Sequence, residues 1–319
     1  MIRASTMSQA TGTAALTPRT SAWANARSGR MSVWRRFRRH PGAIVGAIVL
    51  GLLTLAVLLA PLSPYDPEIS DLPARFQPPS WQHPMGTDAL GRDLLTRVLY
   101  GGRISLTVGL LVVAISLAIG VPIGALAGFY GGRLDSILMR LTDMFLSLPA
   151  FLVLILLSAI LREVDAPLFE RNNVLTIGLV IGVLSWMTFA RLVRAAFLTI
   201  REMDFVTAAR CIGASNRRLI VTHILPNAIG PVIVEATLGL GYAIIEESGL
   251  SFLGFGIQPP TPSWGNLLSN AQEYLTKYPW LAIFPGLMIF LTIISANYIG
   301  DGLRDAFDPH KVLKKVGEV

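Results

Sequence analysis

The sequence predicts an all-α membrane protein with six transmembrane helices, and three observations carry the prediction. Hydrophobic residues make up 52% of the 319-residue chain and charged residues 15%, with a mean hydropathy of +0.56; soluble domains usually carry about 25% charged residues. Six apolar runs approach the roughly 20 residues that cross about 30 Å of hydrocarbon. Arginine gathers in segments that alternate along the chain with acidic or neutral ones, as the positive-inside bias requires. The formal net charge of +7 is therefore read as orientation, with no nucleic acid as a partner.

Residues 1–40 are rich in Ser, Thr, Ala and Arg, and the first acidic residue is Asp66. Such a composition cannot bury a core, so a disordered basic cytoplasmic tail is expected. It ends in "WRRFRRH" before an apolar run from Gly42 to Leu62, the first transmembrane helix (41–63). That run is long for the apolar region of a signal peptide, and no small-x-small site precedes "PLSPYDP", so it is read as an uncleaved span. In the external segment that follows (64–103), Asp66, Glu68, Asp71, Asp88 and Asp93 outnumber the arginines.

The remaining spans fall near 104–130, 137–161, 174–198, 228–250 and 280–299, a five-helix core over 104–300. Between 191 and 218 lie six arginines against Glu202 and Asp204, which places the loop 201–226 in the cytoplasm. The loop 252–279 is nearly neutral and proline-rich, and falls outside. Both termini, including the tail 301–319, are then cytoplasmic. Gly120, Gly124 and Gly128 recur four apart in the second span, and Gly178 and Gly182 in the fourth. Rows of this kind let helix backbones approach closely in lipid; contacts within the chain are the reading preferred over a seam with a second copy.

Several chemistries find no support. The single cysteine, Cys211, excludes an internal disulfide framework, shows no metal-ligand spacing and is read as an inert thiol. His40, His83, His223 and His310 are scattered over four segments and form no metal or catalytic constellation. The chain holds no Gly-Lys pair, hence no G-x-x-x-x-G-K-[ST] loop, and "GLGLGY" and "GLSFLGFG" lack the strand that a dinucleotide site needs.

The stretch "TAARCIGASNRRLIVTHILPN" (207–227) breaks the apolar pattern with small residues, arginines and a proline. It reads as two short helices. Asp204 is read as the N-cap, "FVTAARCI" as the first helix and Gly213 as its stop; Ser215 caps a second helix ending before Pro226. Phe205, Ala208, Ala209 and Ile212 share one face of the first helix at three- and four-residue spacing, rimmed by Arg201, Arg210 and Arg217. Two readings stay open on these residues alone: the face docks in a groove of a partner protein, or it lies on anionic membrane lipid.

Ala208, Ala209, Gly213, Leu225 and Pro226 reproduce a pattern that resembles the EAA loop of permease subunits in bacterial ATP-binding-cassette importers. Two departures are plain: Thr207 stands where the motif has an acidic residue and offers no charge for an ion pair, and His223 stands where a branched aliphatic residue is common. "HPMGTDALGRDLLTRVLYGGRISL" (83–106) and "LSFLGFGIQPPTPSWGNLL" (250–268) are similar to segments of the C-type permease of dipeptide, oligopeptide and nickel importers. The resemblance covers about residues 32–310.

That resemblance implies a type I ABC importer permease fold with cytoplasmic coupling helices, set in the bacterial plasma (inner) membrane. It implies a homologous second permease, two ABC ATPase subunits that hold the ATP and magnesium, and an external substrate-binding protein. This chain would be non-catalytic and carry no cofactor or metal. ATPase coupling falls to Phe205, Thr207, Ala208, Ala209, Arg210, Gly213, Ala214, Arg217, Leu225 and Pro226. The binding protein would meet Gln258, Pro259, Pro260 and Trp264, with Trp264 at the membrane interface and the prolines forming a scoop over the outer mouth or a plain interfacial turn.

Ionisable residues inside apolar spans usually face protein or a water-filled interior. Glu235 and Asp143 are accordingly the candidates for the translocation pathway. Glu235 alternatively pairs with Arg191 or Arg194, and Asp143 with Arg140 or as a helix cap. Glu246 and Glu247, near the outer end, face water or the external partner. A stand-alone secondary transporter or channel would need inverted repeats or a polar pore ring. A membrane hydrolase would need a nucleophile, a base and an orienting group in mutual reach.

Overall fold

The computed structural model describes residues 33–163 and 174–307, with the backbone alone at residue 162. The expected tail up to residue 32 and the stretch 308–319 lie outside the described residues. Among the described residues, five helices are each long and apolar enough to cross a membrane, and a bent pair brings the number to six if it forms one span.

Helix α1 (Pro41–Leu58) begins at His40, whose Nδ1 accepts from the Ala43 amide at 3.1 Å, with Pro41 in the first turn where no donor is missed. The segment that follows α1 is folded around ion pairs: Arg92 Nη2 lies 2.7 Å and Arg97 Nε 3.5 Å from Asp88, and His83 Nδ1 lies 2.9 Å from Asp93. Asp93 caps α2 (Leu94–Tyr130) by accepting from the Thr96 amide at 2.8 Å. The helix thus starts ten residues before the expected 104, and its 37 residues span about 55 Å, well beyond the hydrocarbon.

A turn at Gly131 and Gly132, both at positive φ (65° and 57°), leads into α3 (Gly132–Leu146). The continuous span expected over 137–161 is instead two helices, α3 and α4 (Ala150–Glu163), bent by 82°. Pro149 supplies the reason: its ring disfavours a helical Leu148 and it offers no amide to the preceding turn. Ser147 Oγ folds back on the Met144 carbonyl at 2.7 Å, and the Pro149 carbonyl starts the next helix.

Helix α5 (Val174–Ile200) lies along α2, and here the glycine rows act within the chain. A Cβ at Gly120, Gly124 or Gly128 would stand 2.4–2.8 Å from the backbone or Cβ of Trp186, Phe189, Ala190, Val193, Arg194 or Phe197. Gly182 gives the same approach to Ile115, and Gly178 to the side chain of Leu111. After the hairpin helix α6 (Asp204–Cys211), α7 (Leu225–Phe252) packs on both α2 and α5. Helix α8 (Trp264–Ala271) follows, and α9 (Trp280–Phe307) sits between α7 and α1, running seven residues past position 300. No β-strand occurs among the described residues.

Candidate functional site: a basic hairpin and an acidic groove

The hairpin departs from the expected geometry in three respects. Met203, not Asp204, is the N-cap of α6, and Asp204 is the first helical residue. The stop is a Schellman turn: Gly213 at φ 86° donates to the Arg210 carbonyl and Ala214 to that of Ala209, both at 3.0 Å. Ser215 caps the next turn, accepting from Arg218, but that second helix does not end before Pro226. It continues through a wide π-type turn (Leu219–Ile224) into α7. The widened turn absorbs the amide that Pro226 lacks, and Asn227 Nδ2 donates to the His223 carbonyl at 2.6 Å.

The third correction concerns the shared face. Val206 and Ala209 (6% exposed) point inward, packing with Leu219, Ile224, Phe129 and Phe197 in one apolar cluster. Phe205, Ala208 and Ile212, at i, i+3 and i+7, form the outward stripe, with Ile212 87% exposed. Ala209 leaves the expected docking face because Val206, three residues earlier, takes the core side and carries it along. Thr207, Arg210, Gly213, Arg217 and Pro226 are exposed, whereas Ala214 and Leu225 are half-buried against the cluster.

Arg201 has a function that the sequence did not disclose. Its Nη1 donates to the last carbonyls of α2, Gly128 at 2.9 Å and Phe129 at 3.3 Å, while Nε meets Glu202 at 2.9 Å. A cation at a helix C-terminus satisfies carbonyls that have no helical partner. The hairpin is thereby fastened to α2 as well as to the helices that carry it.

Across the bundle, α2, α5 and α7, with Leu146 and Ala150 at the bend between α3 and α4, line an open groove of about 330 Å³. One face of α7 lines it with Glu235, Gly239, Tyr242 and Glu246; Val112, Ser116, Ser185 and Phe189 stand opposite. Glu235 has no ion pair with Arg191 or Arg194, because both arginines reach to α3. Arg191 pairs with Asp143, and Arg194 forms a two-pronged pair with Asp135. Asp143, expected on the pathway or beside Arg140, is therefore held by Arg191 in an exposed pair.

At the opposite end of α7 the expectations for Glu247 and Trp264 are overturned. Glu247 does not face water: it is 0% exposed and accepts from Ser105 Oγ at 2.8 Å and Ser251 Oγ at 2.7 Å. Trp264 is no interface residue either. It is wholly buried, its Nε1 donating to the Val98 carbonyl at 2.9 Å. Ser263 and Asn266 form a capping box that starts α8, and Asn266 Nδ2 also ties down the carbonyls of Ile257 and Thr261. Gln258 Nε2 folds back on Gly254 at 3.0 Å, so Pro259 and Pro260 are left exposed at this end. No group of three or more His, Cys, Asp or Glu among the described residues is placed to hold a metal ion.

Residues 120–312 match the family described as binding-protein-dependent transport system inner membrane component, and residues 31–79 the N-terminal TM domain of oligopeptide transport permease C. A di/tripeptide transport system permease protein of Pseudomonas aeruginosa is 40% identical over 283 residues, covering 86% of this chain and 90% of its own. A putative peptide permease protein of Brucella suis is 43% identical (87% and 90% covered), and an oligopeptide transport system permease protein of Mycobacterium bovis 39% (88% and 95%). Among solved structures, a chain of the MetNI methionine ABC transporter in inward-facing conformations shares the fold, with a TM-score of 0.53 and 19% identity over 66% of this chain and 95% of that one.

Proposed function

Since this chain belongs to the binding-protein-dependent transport system inner membrane component family, we propose that it is the permease subunit of an ATP-driven importer of short peptides in a bacterial plasma membrane. It forms half of a translocation pathway beside a homologous permease, with both termini in the cytoplasm. An external binding protein delivers the cargo to the end that carries Pro259 and Pro260. Two ATPases, which hold ATP and magnesium, receive the exposed stripe of α6. The peptide cargo is supported by the relatives, which are di/tripeptide and oligopeptide permeases.

One observation carries the coupling assignment: the outward stripe Phe205, Ala208 and Ile212 sits on a helix whose other side is built into the bundle core. A partner that grips Phe205 and Ile212, with Ala208 allowing close approach between them, moves the inner ends of α5 and α7 with it. Arg210 and Arg217 at the rim suit carboxylates of that partner. Thr207 brings no charge to the contact.

The test is Ala208→Trp in the reconstituted transporter. Ala208 is exposed, so insertion and thermal stability stay at wild-type level, while ATP-driven uptake of dialanine falls about tenfold or more as the close contact is lost. Full uptake by this variant sinks the docking assignment.

A further inference from the structure

Glu235 also lines a second cleft, of about 420 Å³, whose walls include Leu192, Pro231, Leu238, Phe307 and, in the last turn of α9, Arg304. The half-buried Glu235 and the exposed Arg304 thus border one open space from two helices. Neither forms an ion pair, with the other or with any described residue. The remaining walls named are apolar and offer them no polar partner. Opposite charges kept apart in such surroundings complement a molecule with an ammonium at one end and a carboxylate at the other, each completing a charge-assisted hydrogen bond. The volume falls in the ~300–1,000 Å³ range of small-molecule sites.

We infer that this cleft is a transit site for the zwitterion of a short free peptide, with its α-ammonium at Glu235 and its α-carboxylate in the fork of Arg304. The inference rests on the importer reading above and adds which chemical ends of the cargo this chain grips. Glu235 is common to the groove and the cleft. An ammonium that leaves the Glu246 half of the groove therefore meets next the carboxylate that shares its space with Arg304.

The test uses the complete transporter in proteoliposomes and a photoreactive dipeptide, p-benzoylphenylalanyl-alanine, cross-linked to this subunit without ATP. Free dialanine should suppress the labelling, whereas N-acetyl-dialanine and dialanine amide should compete about tenfold less well, each lacking one charged contact. In Glu235→Gln the acetylated peptide should compete as well as dialanine; in Arg304→Gln the amide should; Arg304→Lys should keep part of the preference. Equal competition by the blocked peptides in the wild type, or displacement by phosphatidylglycerol in place of dialanine, overturns the transit site. ATP-driven dialanine uptake in the same vesicles separates the two readings. Uptake without end-dependent labelling sinks only the transit site, and absence of uptake sinks the importer reading as well.

Discussion

Ser105 and Glu247 stand 142 residues apart in the chain, yet the Ser105 hydroxyl donates to the Glu247 carboxylate at 2.8 Å where α2 meets α7. The same carboxylate takes Ser251 Oγ, and the two serine oxygens in turn accept from the Trp264 amide at 3.3 Å and the Ile257 amide at 3.0 Å. One buried acid thereby joins α2, α7 and the segment leading into α8. Glu247→Ala strands those hydroxyls in a dry site and leaves a void, so a loss of about 2–4 kcal/mol is expected. Glu247→Gln keeps the shape and one acceptor oxygen and should lose less than half of that. Denaturant titration in detergent decides; equal losses would show that the void contributes nothing and that the missing acceptor oxygen accounts for the whole effect.

The glycine row sets how close α2 and α5 lie. A Cβ at Gly124 would stand 2.4 Å from the Ala190 carbonyl oxygen and 2.8 Å from Val193 Cβ, both on the partner helix and unable to swing aside. Gly124→Ala should cost about 1–3 kcal/mol through overpacking. Gly51 in α1 has no atom within 4 Å of the same position, so Gly51→Ala should stay within about 0.5 kcal/mol of wild type. The two midpoints, measured in one detergent, give the comparison directly.

Gly213 presents the reverse case. Nothing lies within 4 Å of a Cβ placed there, but its φ of 86° is left-handed. Bulk is therefore tolerated and backbone strain is not. Gly213→Ala should lose about 1–2 kcal/mol, and Gly213→Asn clearly less, since asparagine tolerates this region. Hydrogen exchange of the Gly213 and Ala214 amides, both donors in the closing turn, reports the strain locally. Faster exchange in the Asn variant than in the Ala variant would contradict it.

Those contrasts also explain what could be read in advance. Gly213 and Ser215 are local punctuation, so the hairpin was legible from short-range stereochemistry, and the glycines four apart announced the α2–α5 contact. Pro149 was an equally local signal, but the apolar run 137–161 is continuous in composition and masked it. Trp264 and Glu247 depend on Val98 and Ser105, well over a hundred residues away. No local pattern separates an aromatic destined for a buried carbonyl from one at a membrane interface. The tilt of Ala209 into the core required knowing that Val206 meets Phe129 and Phe197.

Two ion pairs join α3 to α5, and their surroundings predict opposite outcomes. Asp135 and Arg194 are 16% and 33% exposed and meet through two nitrogen–oxygen contacts, one of 2.6 Å. Asp143 and Arg191 are 59% and 52% exposed and share one contact. Water screens the second pair and both side chains lose rotamer freedom to make it, so a double-mutant cycle should return about 0–1 kcal/mol. The first is geometrically fixed and partly shielded; its coupling should reach about 1–2 kcal/mol, a hydrogen bond to a charged group discounted for partial exposure. Arg194 lies six residues before the end of α5, where the hairpin begins, so Asp135→Ala should also loosen the path from hairpin to bundle. Uptake per ATP hydrolysed is the measure: it should fall in Asp135→Ala and hold in Asp143→Ala, and the exchanged pair Asp135→Arg with Arg194→Asp should recover more than half of the loss. Equal effects of the two alanine variants would mean that shielding plays no part in the coupling between α3 and α5.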